Sequence, residues 1–121
     1  MPGSLHSEEG RRLLERIRRR YLLLRIDCEK PPSEKDFLNA LRSSITRLFG
    51  EYGTSQTEII LVEYNPEIKY AIIRCPHKSL PMVRASIAAI TKVAEETVAV
   101  HVLLVSGTLR ALRKKMQKYL Y

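Results

Sequence analysis

Residues 57–75 read TEIILVEYNPEIKYAIIRC. Two runs rich in isoleucine, valine and tyrosine, Thr57–Tyr64 and Ile68–Cys75, flank the pair Asn65-Pro66. β-Branched and aromatic residues fit a pleated, half-buried surface, and Asn-Pro initiates turns. The stretch therefore predicts two neighbouring strands joined by a hairpin. On both sides of it the apolar period changes from two to helical. Upstream, Phe37, Leu38, Leu41, Ile45 and Leu48 form a stripe ending near Phe49, with Gly50 and Gly53 as stop and loop. Ser33-x-x-Asp36 opens that helix, since a serine hydroxyl can cap a free backbone N–H. Downstream, Leu80, Val83, Ile87 and Ile90 mark a second helix, opened by Ser79 and Pro81.

Further out lie two more strands, Tyr21–Cys28 (YLLLRIDC) and Thr97–Val105 (TVAVHVLLV). The order β-α-β-β-α-β predicts an α+β fold, a ferredoxin-like or RRM-like antiparallel sheet with additional N- and C-terminal helices. The expected strand order is 4-1-3-2, with both inner helices on one face. The chain then divides into a disordered lead (1–6), a basic helix (7–20), the α/β core (21–106) and a basic C-terminal helix (107–121). In that last helix Leu109, Leu112, Met116 and Leu120 point inward, and Arg110, Lys114 and Lys118 line another face. The fourth strand is apolar on both sides, so a terminal helix, a partner or both should cover the second face of the sheet.

At 121 residues the chain is one domain. Its 45% hydrophobic and 28% charged residues are ordinary for a folded protein and exclude global disorder. No run of 18 apolar residues predicts a membrane span. Met1–Gly10 lacks an apolar core and carries Glu8 and Glu9, so no export signal and a cytoplasmic location are expected. Cys28 and Cys75 are too few for a disulfide scaffold and are expected to pack as small apolar groups on neighbouring strands.

The net charge is +8, and its distribution says more than its total. Residues 1–20 carry +3 through Arg11, Arg12, Arg16, Arg18, Arg19 and Arg20 against three glutamates. Residues 110–121 carry +5 through Arg110, Arg113, Lys114, Lys115 and Lys118, with no acid. Residues 21–109 balance to zero. A neutral body with two cationic ends is the footprint of a polyanion binder. A membrane surface fits less well, because the protein has no tryptophan and its N-terminal arm offers only Leu13, Leu14 and Ile17 for insertion.

Catalytic sets are missing from the pattern. His6, His77 and His101 lack metal-ligand spacing, and no C-x-x-C, Walker loop or G-x-G-x-x-G is present. His101, in an apolar strand, is expected to be a satisfied core or partner-facing residue. Base stacking as in RNA-recognition motifs is not supported, since strand three reads IKYAIIRC and offers only Tyr70. The turn Ser106-Gly107-Thr108 has two readings. It is a helix cap, or a place where backbone N–H groups near Arg110 and Arg113 receive a phosphate.

Three segments together resemble a known family. They are Arg18-Arg19-Arg20-Tyr21-Leu22-Leu23-Leu24, Leu48-Phe49-Gly50-Glu51-Tyr52-Gly53 and Val105-Ser106-Gly107-Thr108-Leu109-Arg110. In order and spacing the chain from about 16 to 112 is similar to protein component 2 of archaeal-type ribonuclease P, the Pop-five type of subunit. That resemblance implies a noncatalytic RNA-binding subunit in 5′ maturation of precursor tRNA, a ribonucleoprotein whose RNA does the hydrolysis. It implies ribonuclease P RNA as partner, with magnesium ions on that RNA and none held by the protein. It further implies a barrel-fold protein partner, the pair able to form a heterotetramer. The basic residues named above, with Ser106, Gly107 and Thr108, are the candidate RNA contacts. A ribosomal-type RNA-binding protein would explain the charge equally well. A ferredoxin-like small-ligand module would leave the charge at the ends unexplained.

Overall fold

The computed structural model describes residues 18–120. The expected lead, most of the N-terminal helix, and Arg11, Arg12 and Arg16 lie outside the described residues. Strand β1 (Arg19–Asp27) leads to helix α1 (Glu34–Thr57), then to the hairpin of β2 (Ile60–Asn65) and β3 (Tyr70–Pro76). A 3-10 turn, His77–Ser79, opens helix α2 (Leu80–Ala88). A two-residue-strand hairpin follows, β4 (Lys92–Val93) with β5 (Glu96–Thr97), before β6 (Ala99–Ser106) and helix α3 (Leu109–Leu120).

The main sheet has the order β2-β3-β1-β6, and neighbouring strands pair antiparallel. This is the expected 4-1-3-2 arrangement with β6 as fourth strand. The hairpin turn forms because the Asn65 side-chain oxygen accepts from the N–H groups of Glu67 and Ile68, both at 3.0 Å.

Alternation in β1 sets the two layers. Leu22, Leu24 and Ile26 face α1 and α2, where they pack with Phe37, Leu41, Ile45, Val83 and Ile87. Leu23 faces the other way, into a smaller cluster with Tyr70, Ile72, Leu112 and Met116. Helix α3 therefore covers the second face, with Leu109 and Leu120 packed partly against it. The Ser33 hydroxyl caps α1 by accepting from the Asp36 N–H at 3.1 Å.

Several boundaries differ from the sequence reading. Arg19 and Arg20 belong to a strand rather than a helix, because the end of β3 pairs with them, Arg19 opposite Pro76 and Arg20 opposite Cys75. The first inner helix does not stop at Phe49. Gly50 takes a left-handed φ of 71°, kinks the chain, and a second helical segment runs on to Thr57. Past the kink, a Cβ added at Gly53 would sit 2.3 Å from Phe49 Cβ and 3.0 Å from Met82 Cε of α2, so the bend leaves room there only for glycine. Leu48, expected in the buried stripe, is 44% exposed just before the kink, and the next buried positions are Gly53 and Thr57. Helix α2 ends at Ala88, so Ile90 is buried from the loop beyond it. The last strand starts at Ala99, residues 92–97 having formed the small hairpin. The two cysteines belong to neighbouring strands as expected, at opposite ends: Cys75 is buried in β3 opposite Arg20, and Cys28 directly follows the far end of β1.

Candidate RNA interface

Antiparallel pairing gathers what the sequence keeps apart. β1 starts, β3 ends and β6 ends at the same edge of the sheet, termed here its upper end. Tyr21 stands opposite Arg74 on one side and Ser106 on the other. The His77 N–H donates to the Arg18 carbonyl at 2.7 Å, tying the chain before β1 to the turn after β3. Arg20 Nη1 donates to the Arg19 carbonyl at 3.0 Å and lies 3.6 Å from where a Cβ on Gly107 would stand. The Arg20 guanidinium thus sits against the Ser106-Gly107-Thr108 turn. It also faces Cys75. Burial pushes that thiol up to about 11, with Arg20 pulling the other way, so Cys75 stays protonated and unreactive at neutral pH.

The turn is a helix cap. Thr108 Oγ1 accepts from the Ala111 N–H at 3.1 Å, and its carbonyl accepts from Leu112 at 3.1 Å. From there α3 descends across the second face with Arg110, Lys114, Lys115 and Lys118 exposed. Basic surface therefore continues from the upper end along the outer side of α3.

Arg113 is held in an ion pair. Its Nη2 lies 3.0 Å from Glu63 Oε1, and the Tyr70 hydroxyl donates to the other Glu63 oxygen. The Tyr70 hydrogen bond lowers the Glu63 pKa below 4.5; burial opposes this and Arg113 adds to it. Glu63 reaches Arg113 because a bulge in β2 between Leu61 and Glu63 puts Val62 and Glu63 toward α3. Simple alternation would have placed Glu63 beside Leu61, against the inner helices. His101 is likewise not a core residue. It is exposed, with Nε2 3.0 Å from Asp27 Oδ2, and Asp27 also accepts from Arg25 at 3.1 Å.

The sign of the Glu63 contribution follows from its depressed pKa. The stabilisation is fully present above the unfolded value of about 4.5 and is lost as pH falls through the lower folded value. Glu63→Gln is expected to remove less than about 1 kcal/mol at pH 7, because the pair is partly solvated. Its unfolding free energy, followed by urea titration, should fall less than the wild type's between pH 5 and pH 3. Parallel curves would exclude Glu63 as the group responsible.

Among the described residues no cluster of three or more His, Cys, Asp or Glu is placed to hold a metal ion, and no helix is long and apolar enough to cross a membrane. The family model described as Rpp14/Pop5 matches residues 20–117. The chain belongs to the Rpp14/Pop5 family. Ribonuclease P protein component 2 of Methanosarcina mazei is 35% identical over 100 residues, covering 83% of this chain and 84% of that protein. The protein of the same name from Methanocaldococcus jannaschii is 31% identical over 100 residues, 83% of this chain and 73% of its own length. A chain in the cryo-EM structure of yeast ribonuclease MRP has the same fold, with a TM-score of 0.65 at 18% identity, covering 85% of this chain and 92% of that one. The Rpp14/Pop5 match thus takes in β1 from Arg20, the capped turn and most of α3.

Proposed function

We propose that this Rpp14/Pop5 chain is the noncatalytic, RNA-binding protein of a ribonuclease P, and that it helps the catalytic RNA hold its fold during 5′ maturation of precursor tRNA. The family and the relatives named ribonuclease P protein component 2 make it a ribonuclease P protein subunit. The observation that carries the mechanism is the register. It sets Arg18, Arg19 and Arg20 beside Ser106-Gly107-Thr108 and Arg110, joining the two basic ends of the sequence at one edge of the sheet.

The physical role follows from charge. Folding an RNA core crowds its phosphates, and their repulsion opposes compaction. Cations fixed on a rigid sheet edge replace mobile counterions, and the release of those ions drives binding. The magnesium ions of the reaction belong on the RNA in this reading. A barrel-fold protein subunit is the further partner, with a heterotetramer as the assembly. Exposed Leu48, Phe49 and Tyr52 beside the Gly50 kink supply apolar surface that suits a protein contact.

Cross-linking in cells, followed by sequencing of the recovered RNA, tests the reading. Ribonuclease P RNA is expected to dominate, with cross-linked peptides from 18–20 and 106–118. Recovery of ribosomal RNA instead would keep the basic-edge argument and overturn the assignment. RNA at background would overturn both.

A further inference from the structure

The charge pattern that pointed to the two ends of the sequence passes over Arg74, His77 and Lys78, which lie in its electrically neutral middle. The fold moves them. Arg74 is the residue of β3 opposite Tyr21, and Tyr21 in turn stands opposite Ser106. Arg74 and Ser106 therefore flank the start of β1 at a separation of two strand spacings, about 10 Å. His77 is held to Arg18 through its backbone N–H, and Lys78 is exposed on the same turn. The register and the tied turn thus bring Arg20, Arg74, Lys78 and Arg110 to one end of the sheet from four separate parts of the chain. Among the described residues the three ion pairs use Arg25, His101 and Arg113, and none of these four. Glu58, at the C-cap of α1, borders a shallow cleft with Lys78 and Pro76.

We infer that Arg74 and Lys78 bind RNA phosphates and extend the interface across the upper end of the sheet from β6 to β3. The inference rests on the RNA-binding reading. A polyanion lying over Arg20 and Arg110 alone would contact one corner of the edge. With Arg74 and Lys78 included, the cations span β3, β1, β6 and the start of α3, which suits a folded RNA backbone crossing the strands. Because Arg74 and Lys78 hang from the sheet and a short tied turn, little ordering is needed on binding.

The test uses the full chain and ribonuclease P RNA transcribed from the same source, with affinity measured between 50 and 200 mM salt. Wild type should show a steep log–log dependence. The double variant Arg74→Gln, Lys78→Gln should lower that slope by about 1.4–1.8, a loss of about tenfold in salt sensitivity over that range. A control double variant with the same charge change, Lys35→Gln and Lys92→Gln, lies toward the opposite end and should leave the slope unchanged. Circular dichroism melting of both variants checks the fold. If wild type binds with a steep slope and the Arg74, Lys78 variant matches it, the inference fails while the RNA-binding reading stands. If wild type itself shows no salt-dependent binding, the reading fails. An equal slope loss in both double variants would show an effect of net charge alone and would also overturn the inference.

Discussion

Leu112→Ala is expected to lower the unfolding free energy by about 2–5 kcal/mol, the range for truncating a fully buried leucine. Leu112 has no exposed surface. It is the central contact of α3 with the second face, where it meets Leu23, Tyr70 and Ile72 beside Met116. This cluster is small, so the cavity left by alanine has few neighbours able to close it. A 12-residue helix is marginal in water by itself. Loss of its main anchor should therefore loosen the whole of α3. Urea titration should show the drop in stability, and hydrogen exchange should quicken over 109–120 more than over β1 and β3. Met116→Ala should cost less, since Met116 is 8% exposed and lies a turn nearer the helix end. A Leu112→Ala loss below about 1 kcal/mol would mean that the second face does not depend on α3 for cover.

That helix shows how much of the fold could be read in advance. The spacing of Leu109, Leu112, Met116 and Leu120 marked its inward face, and the doubly apolar last strand demanded a cover. The hairpin at 57–75 and the alternation in β1 likewise carried the strand order. What escaped the reading was local and geometric. Gly50 looked like a stop because glycine ends helices, yet here its left-handed φ only bends the path, and Thr57 rather than Phe49 ends the helix. Arg19 and Arg20 looked helical because they continue a charged periodic run. The partner strand decided otherwise, since Pro76 and Cys75 lie opposite them.

The candidate site divides in the same way. Linear charge counting found Arg18, Arg19, Arg20 and the basic side of α3, because those residues are clustered in sequence. It missed Arg74 and Lys78, isolated in the neutral middle of the sequence and brought to the upper end by strand register and by the turn tied to Arg18. It counted Arg113 with the RNA contacts, and it did not foresee that Glu63 pairs with that side chain at 3.0 Å. No alternation rule could have foreseen that pair, because it depends on the bulge that turns Glu63 toward α3. The turn at 106–108 remained ambiguous for a related reason: cap and anion site use the same residues, and only the Thr108 hydrogen bonds distinguish what the side chain does in this structure.

The largest functional effect is expected from the triple variant Arg18→Gln, Arg20→Gln, Arg110→Gln. These residues stand at the start of β1 and of α3, on either side of the Gly107 turn that Arg20 touches. Removing three phosphate contacts should reduce the log–log salt slope of RNA binding by about 2–3. At 0.15 M salt that corresponds to roughly a 100-fold weaker affinity from counterion release alone. Reconstituted precursor-tRNA cleavage should then need more magnesium, because diffuse divalent ions must replace the fixed cations. The melting temperature should change little. Arg18 and Arg110 are exposed, and Arg20 contributes one half-buried hydrogen bond to the Arg19 carbonyl. The matching triple substitution to lysine separates charge from shape. Lysine keeps the positive charge but presents a compact ammonium in place of the planar guanidinium. If counterion release dominates, the lysine variant restores the slope and most of the affinity. If affinity stays low while the slope recovers, the edge recognises phosphates through arginine's paired N–H geometry. If the glutamine variant binds as wild type does, the upper end of the sheet is not the RNA interface.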